Sequence, residues 1–191
     1  MTAILNQHEN YLQADQAYGF PLLIKNLLSR AKVVSGDKKI HYADKTSYTY
    51  QEFFKRVNRL ANVLKGLNLQ KGDVVAVMDW DTHRYLECYF AIPMCGYILQ
   101  TVNVRLSEDK VLYTINHAKP KALLLNSEFS PRIKSHTQDA PSVEHVIWLD
   151  DNNTPMPPYA QGEYEAMLAQ ASDEYEFEDF DENTQPQRRI F

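Results

Sequence analysis

D-V-V-A-V-M-D-W-D-T-H-R-Y-L-E-C-Y-F-A-I-P-M-C-G-Y-I-L-Q-T-V, residues 73–102, holds one complete strand–helix–strand unit. Val74 to Met78 is an uninterrupted apolar run of strand length. Asp81 or Thr82 is placed to cap a helix running to about Met94, and Tyr97 to Val102 is a second strand-like run. The alternation continues C-terminally. Ser107 caps a helix through about His117, with Glu108 and Asp109 favourable in its first turn. Ala122 to Leu125 is a third strand, Pro131 to about Gln138 a short helix, and Val143 to Leu149 a fourth strand. Strands without polar alternation, separated by helical stretches, predict a parallel α/β sheet covered on both faces.

The N-terminal side reads differently. Gly19 to Val34 carries Phe20, Leu23, Ile24, Leu27, Leu28 and Ala31 at helical spacing. Lys39 to Ala43 and Ser47 to Tyr50 predict a hairpin around Asp44-Lys45-Thr46. Thr49 and Glu52 form a capping-box pair opening a helix to about Leu67, with Phe53, Val57, Leu60, Ala61, Leu64 and Leu67 as its buried stripe. After Asp150 the composition turns loop-like. Tyr164 to Ala171 is a short helix, and Asp173 to Glu182 is acidic with Tyr175, Phe177 and Phe180 as anchors. The expected division is an N-terminal arm (1–17), an incomplete α/β domain (18–150), an acidic connecting segment (151–185) and an aberrant tail (186–191).

The 191 residues are 44% hydrophobic and 24% charged with net charge −5, an ordinary globular balance that disfavours a nucleic-acid partner. No run reaches the roughly 18 apolar residues of a transmembrane helix. Met1 to Tyr18 lacks the basic and apolar regions of a signal peptide. Cys88 and Cys95, seven apart in an apolar helical stretch, read as reduced core residues on one helix face, consistent with a cytoplasmic location.

Searches for chemistry return little. The six glycines are too scattered for a phosphate-cradling loop, and no zinc-type or nucleophile-elbow pattern occurs. His41, His83, His117, His136 and His145 have no ligand-like spacing and read as surface or capping residues. Neither a catalytic residue nor a metal ligand is assigned. Asp79, Asp81, His83, Arg84 and Glu87 cluster at a strand-to-helix turn, where the ligand site of a parallel sheet would lie. They read first as helix capping plus an Arg84–Glu87 pair.

Several segments, in this order and spacing, resemble the adenylate-forming (AMP-binding) superfamily, specifically its bacterial fatty-acyl-CoA synthetases. They are Y-G-F-P-L-L-I-K-N-L-L (Tyr18 to Leu28), S-Y-T-Y-Q-E-F (Ser47 to Phe53), Lys71 to Pro93, C-G-Y-I-L-Q-T-V-N-V-R-L-S (Cys95 to Ser107) and Y-T-I-N-H-A (Tyr113 to Ala118). Together they cover nearly all of residues 18–185. Asn103-Val104-Arg105-Leu106 matches the T-x-N-x-R-L text of the acyl-CoA ligases.

The resemblance implies a two-step reaction. A fatty-acid carboxylate attacks the α-phosphate of ATP, and CoA thiolate then displaces AMP from the acyl-adenylate. ATP, Mg²⁺ and CoA would serve the intact enzyme, and no cofactor is expected for this chain. In the family the phosphates lie on a Thr/Ser/Gly-rich loop ending in P-K-G, and that text does not occur in these residues. Asn103 and Arg105 are the only cofactor-side candidates: either their loop approaches CoA, or it is structural and Arg105 pairs with a nearby acid or carbonyl.

By the same resemblance, D-E-N-T-Q (Asp181 to Gln185) would be followed by the phosphate loop, where P-Q-R-R-I-F stands. With suitable codons a one-base shift converts Pro-Gln-Arg-Arg to Ala-Thr-Thr-Thr, close to the family text. The expectation is a truncated ligase ended by a frameshift, inactive alone and prone to self-association through uncovered sheet edges. Reading the coding DNA past the Gln185 codon in all three frames tests it. The alternatives are a non-catalytic dimerising or complementing module for a ligase, and an independent small nucleotide-binding protein.

Overall fold

A computed structural model describes residues 23–133 and 136–180. The N-terminal arm and the tail lie outside them. Helix α1 (Ile24–Ser35) leads into a hairpin of β1 (Lys39–Tyr42) and β2 (Thr46–Thr49), registered Lys39 opposite Thr49. Helix α2 (Tyr50–Gly66) starts where expected. The Thr49 hydroxyl accepts from Glu52 N at 3.1 Å, and the Glu52 carboxylate accepts from Thr49 N at 2.6 Å. All six residues of its expected stripe are buried.

The main sheet is built from β3 (Val74–Met78), β4 (Ile98–Thr101), β5 (Ala122–Asn126), β6 (His145–Leu149) and β7 (Gly162–Glu163). All its pairings are parallel, in the order β4-β3-β5-β6-β7. Between the strands lie α3 (His83–Met94), α4 (Glu108–Ala118) and α5 (His136–Asp139), and α6 (Tyr164–Gln170) follows β7. Gly96 makes the turn into β4 at φ +83°, a conformation that suits a residue without Cβ.

The apolar strands serve two cores through their period of two. Val75, Val77, Ala122, Leu124, Ile147 and Leu149 face α2, α3 and α6. Ala76, Met78, Leu123, Leu125, Val146 and Trp148 face the opposite side, with Val111 and Ile115 of α4. The predicted doubly covered parallel sheet is therefore the one observed.

Several local expectations are corrected. Leu27 is 70% exposed, because α1 turns a single row, headed by Leu28, onto the core. Cys95 is the C-cap beyond α3 and only half-buried, so it does not continue the helix face of Cys88. The helix expected over 131–138 is instead a 3₁₀ turn at Ser127–Arg132 followed by α5. The two-residue β7 carries no sequence signal long enough to read.

Candidate functional site

In an open parallel sheet, ligands approach the carboxyl ends of the strands where successive connections leave in opposite directions. Here that place is between β3, which connects toward β4, and β5, which connects toward β6. The crevice is closed by the protein's own side chains. Asn126 Nδ2 donates to Asp79 Oδ1 at 2.6 Å, Thr82 Oγ1 donates to Asp79 Oδ2 at 2.5 Å, and Trp80 N donates to Asp79 Oδ1 at 2.9 Å. Burial raises the pKa of Asp79, and the bonds from Thr82 and Asn126 oppose that rise. Both its oxygens are engaged, so it braces the strand ends and has little capacity left for a ligand.

The open space lies to one side, over β3 and β4. A cleft of ≈320 Å³ is lined by Trp80, Asp81, Tyr85, Tyr89, Asn103 and Arg105, with Asp79 at its floor. The alternation of strand β4 continues past its end. Val102 and Val104 are buried, whereas Asn103 and Arg105 are exposed. Arg132 fixes the loop from beneath: its Nη1 donates to the carbonyls of Val104 at 2.6 Å and Leu106 at 3.0 Å. Asn103 shapes the turn, its Oδ1 accepting from Arg105 N at 3.0 Å. Arg105 has no carboxylate partner among the described residues. Tyr85 and Tyr89 pack at 5.1 Å on one face of α3, and Trp80 lies 5.0 Å from Phe129. The cleft thus offers aromatic walls, the Arg105 cation and the carboxylates of Asp79 and Asp81.

The structure divides the acid-base cluster read from the sequence. Arg84 is 1% exposed and turns to the end of β6, where Nη2 meets Asp151 Oδ1 at 2.9 Å and Nη1 donates to Asp150 O at 3.2 Å. The expected Arg84–Glu87 pair does not form, because Glu87 points into the other core. It is fully buried there and accepts from Arg56 Nε at 2.6 Å, Tyr48 Oη at 3.0 Å and Tyr164 Oη at 2.6 Å. Arg56 also binds Glu165 through two bonds of 2.8 Å, and His83 Nε2 lies 3.4 Å from Glu165. His83 heads α3, as a capping position would, but its side chain is only 13% exposed. This network joins β2, α2, α3 and α6 and does not reach the cleft.

Asn103 and Arg105, which the motif text singled out for the CoA side, line this cleft, whereas Tyr85 and Tyr89 were not singled out. The i, i+4 spacing of Tyr85 and Tyr89 was the available signal. Arg132 carried none, since its contacts with the loop are made through space to backbone carbonyls. Among the described residues no group of three or more His, Cys, Asp or Glu is placed to hold a metal ion. No helix among them is long and apolar enough to cross a membrane.

Comparison with known proteins agrees with the fold. The family model described as AMP-binding enzyme matches residues 28–187. The long-chain-fatty-acid–CoA ligase of Thermus thermophilus is 33% identical over 147 residues, covering 77% of this chain and 26% of that protein. The medium-chain-fatty-acid–CoA ligase of Ectopseudomonas oleovorans is 30% identical over 168 residues, covering 85% and 31%. The chain therefore spans between a quarter and a third of these relatives' length. Among solved structures, the anthranilate CoA ligase AuaEII in complex with anthranoyl-AMP superposes with a TM-score of 0.72 at 22% identity, over 80% of this chain and 29% of that one. A putative long-chain-fatty-acid CoA ligase from Rhodopseudomonas palustris gives 0.70 at 20% identity, over 85% and 39%.

Proposed function

The chain belongs to the AMP-binding enzyme family, and we propose that it provides the N-terminal α/β part of an ATP-dependent fatty-acid–CoA ligase. The observation that carries this reading is the match, at 30% identity or more, to two ligases named for fatty acids and CoA. Within that enzyme the described residues act as scaffold. They supply a rigid two-faced sheet and one wall of the CoA side, where Arg105 would pair with a phosphate and Asn103 holds the turn that presents it.

The adenylation step needs donors around the α-phosphate and a counter-cation for the charge developing there. The sequence of these residues holds no glycine-rich phosphate loop. The 191 residues alone are accordingly expected to leave a fatty acid unactivated. The test is fatty-acid-dependent ATP–pyrophosphate exchange in two proteins. One is the chain itself. The other is a chimera joining residues 1–180 to the part of the Thermus ligase that follows its aligned segment. Exchange in the chimera with none in the chain supports the proposal; exchange by the chain alone overturns it.

A further inference from the structure

Residues 172–180 are neither helix nor strand. Side chains of α1, α2 and the turn before β3 hold them in place. Asn62 Nδ2 donates to the carbonyls of Ser172 and Glu174, each at 2.9 Å, and Asn58 Nδ2 donates to that of Asp173 at 2.8 Å. Lys25 Nζ donates to Phe177 O at 3.0 Å and pairs with Asp179 at 2.6 Å. Lys55 pairs with Asp173 at 3.1 Å, and Lys71 with Glu178 at 2.6 Å. Lys65 lies 6.0 Å above the Tyr175 ring. Every acid in these pairs sits on the segment and every base on the helical side.

We propose that residues 172–180 form an electrostatic strap that opens without unfolding the domain and, on opening, uncovers the Cys95 thiol. The strap adds no strand to a sheet. Its ion pairs are exposed, with Glu178 72% and Asp179 77% accessible, and such pairs contribute little each and are screened by salt. An open groove of ≈990 Å³, lined by Lys65, Lys71, Cys95, Tyr97 and Tyr175, runs along the strap, whose Phe177 rests half-buried against the core. Tyr175 and Cys95 line this same groove, where the half-buried thiol is pushed up to about 12 by burial. Segments held by exposed polar contacts open at far lower cost than the global transition. Cys88, fully buried in α3, supplies an internal reference for global opening.

The experiment labels the full chain with N-ethylmaleimide, a neutral reagent, and assigns each modified cysteine by peptide mass. Salt is raised from about 0.01 M to about 1 M, which shortens the Debye length from about 30 Å to about 3 Å. The expected result is a Cys95 labelling rate that rises roughly tenfold, in line with loss of several screened pairs, while Cys88 stays unlabelled. Lys25→Ala with Lys71→Ala should label quickly at low salt and lose most of the salt response. Tyr175→Ala should label quickly throughout. A Cys95 rate indifferent to salt and to the lysine substitutions overturns the proposal. So does labelling of Cys88 in step with Cys95, which would mean that opening is global.

Discussion

Glu87 has no accessible surface, and four side-chain hydrogen bonds from Arg56, Tyr48 and Tyr164 keep its charge inside the protein. Removing one partner of a buried ion pair strands the other, at a cost of about 3–5 kcal/mol. Arg56 retains Glu165, so Glu87→Ala should fall near the lower end, about 3 kcal/mol. Glu87→Gln should cost less, because the amide oxygen still accepts a bond. Urea denaturation reads both. Glu165 gives the network a pH signature. Burial pushes its carboxyl up, but its contacts with His83 and the Arg56 guanidinium hold it at about 2, below its ordinary 4.5. A depressed carboxyl contributes stability above its unfolded value and loses it as pH falls through the folded one. Stability should therefore decline between pH 4.5 and about 2, and Glu165→Gln should flatten that part of the profile.

At the scale of the element, the capping box of α2 is a local device that the sequence spells out. Thr49→Ala should cost about 1 kcal/mol in the same denaturation experiment. Elements governed by local signals were legible: α2 with its cap and stripe, β3, α3 and β6 with their apolar runs. Those governed by partners were not. Strand β7 exists because Gly162 and Glu163 lie beside Ile147 and Trp148. The Arg84–Glu87 spacing suits a helix-surface pair, yet α3 is buried on two sides, and each charge follows the core it faces. The cleft was half legible. The motif text singled out Asn103 and Arg105, while the i, i+4 spacing of Tyr85 and Tyr89 went unread. The support from Arg132 is tertiary.

At the scale of the whole molecule, the sheet formed by the described residues runs from β4 at one edge to the two-residue β7 at the other. Leu27, Val33 and Val34 of α1 are 70%, 85% and 69% exposed. Edges and apolar surface of this kind favour association, so sedimentation of the isolated chain should depend on concentration. Leu27→Lys with Val33→Lys should reduce that dependence if α1 carries it, and a chain monomeric at all concentrations would argue against the expectation. The division of labour we propose gives the described residues a CoA-side wall and leaves the ATP phosphates to other parts of the enzyme. Trp80 lines the cleft and reports on it directly. Titrating the chain with CoA, and separately with Mg-ATP, while following tryptophan fluorescence is the decisive measurement. The account predicts a saturable response to CoA that weakens by roughly tenfold in Arg105→Ala, as loss of one charge-assisted phosphate contact would produce, and no response to Mg-ATP. Saturable binding of Mg-ATP, or a CoA response unchanged by Arg105→Ala, would contradict it.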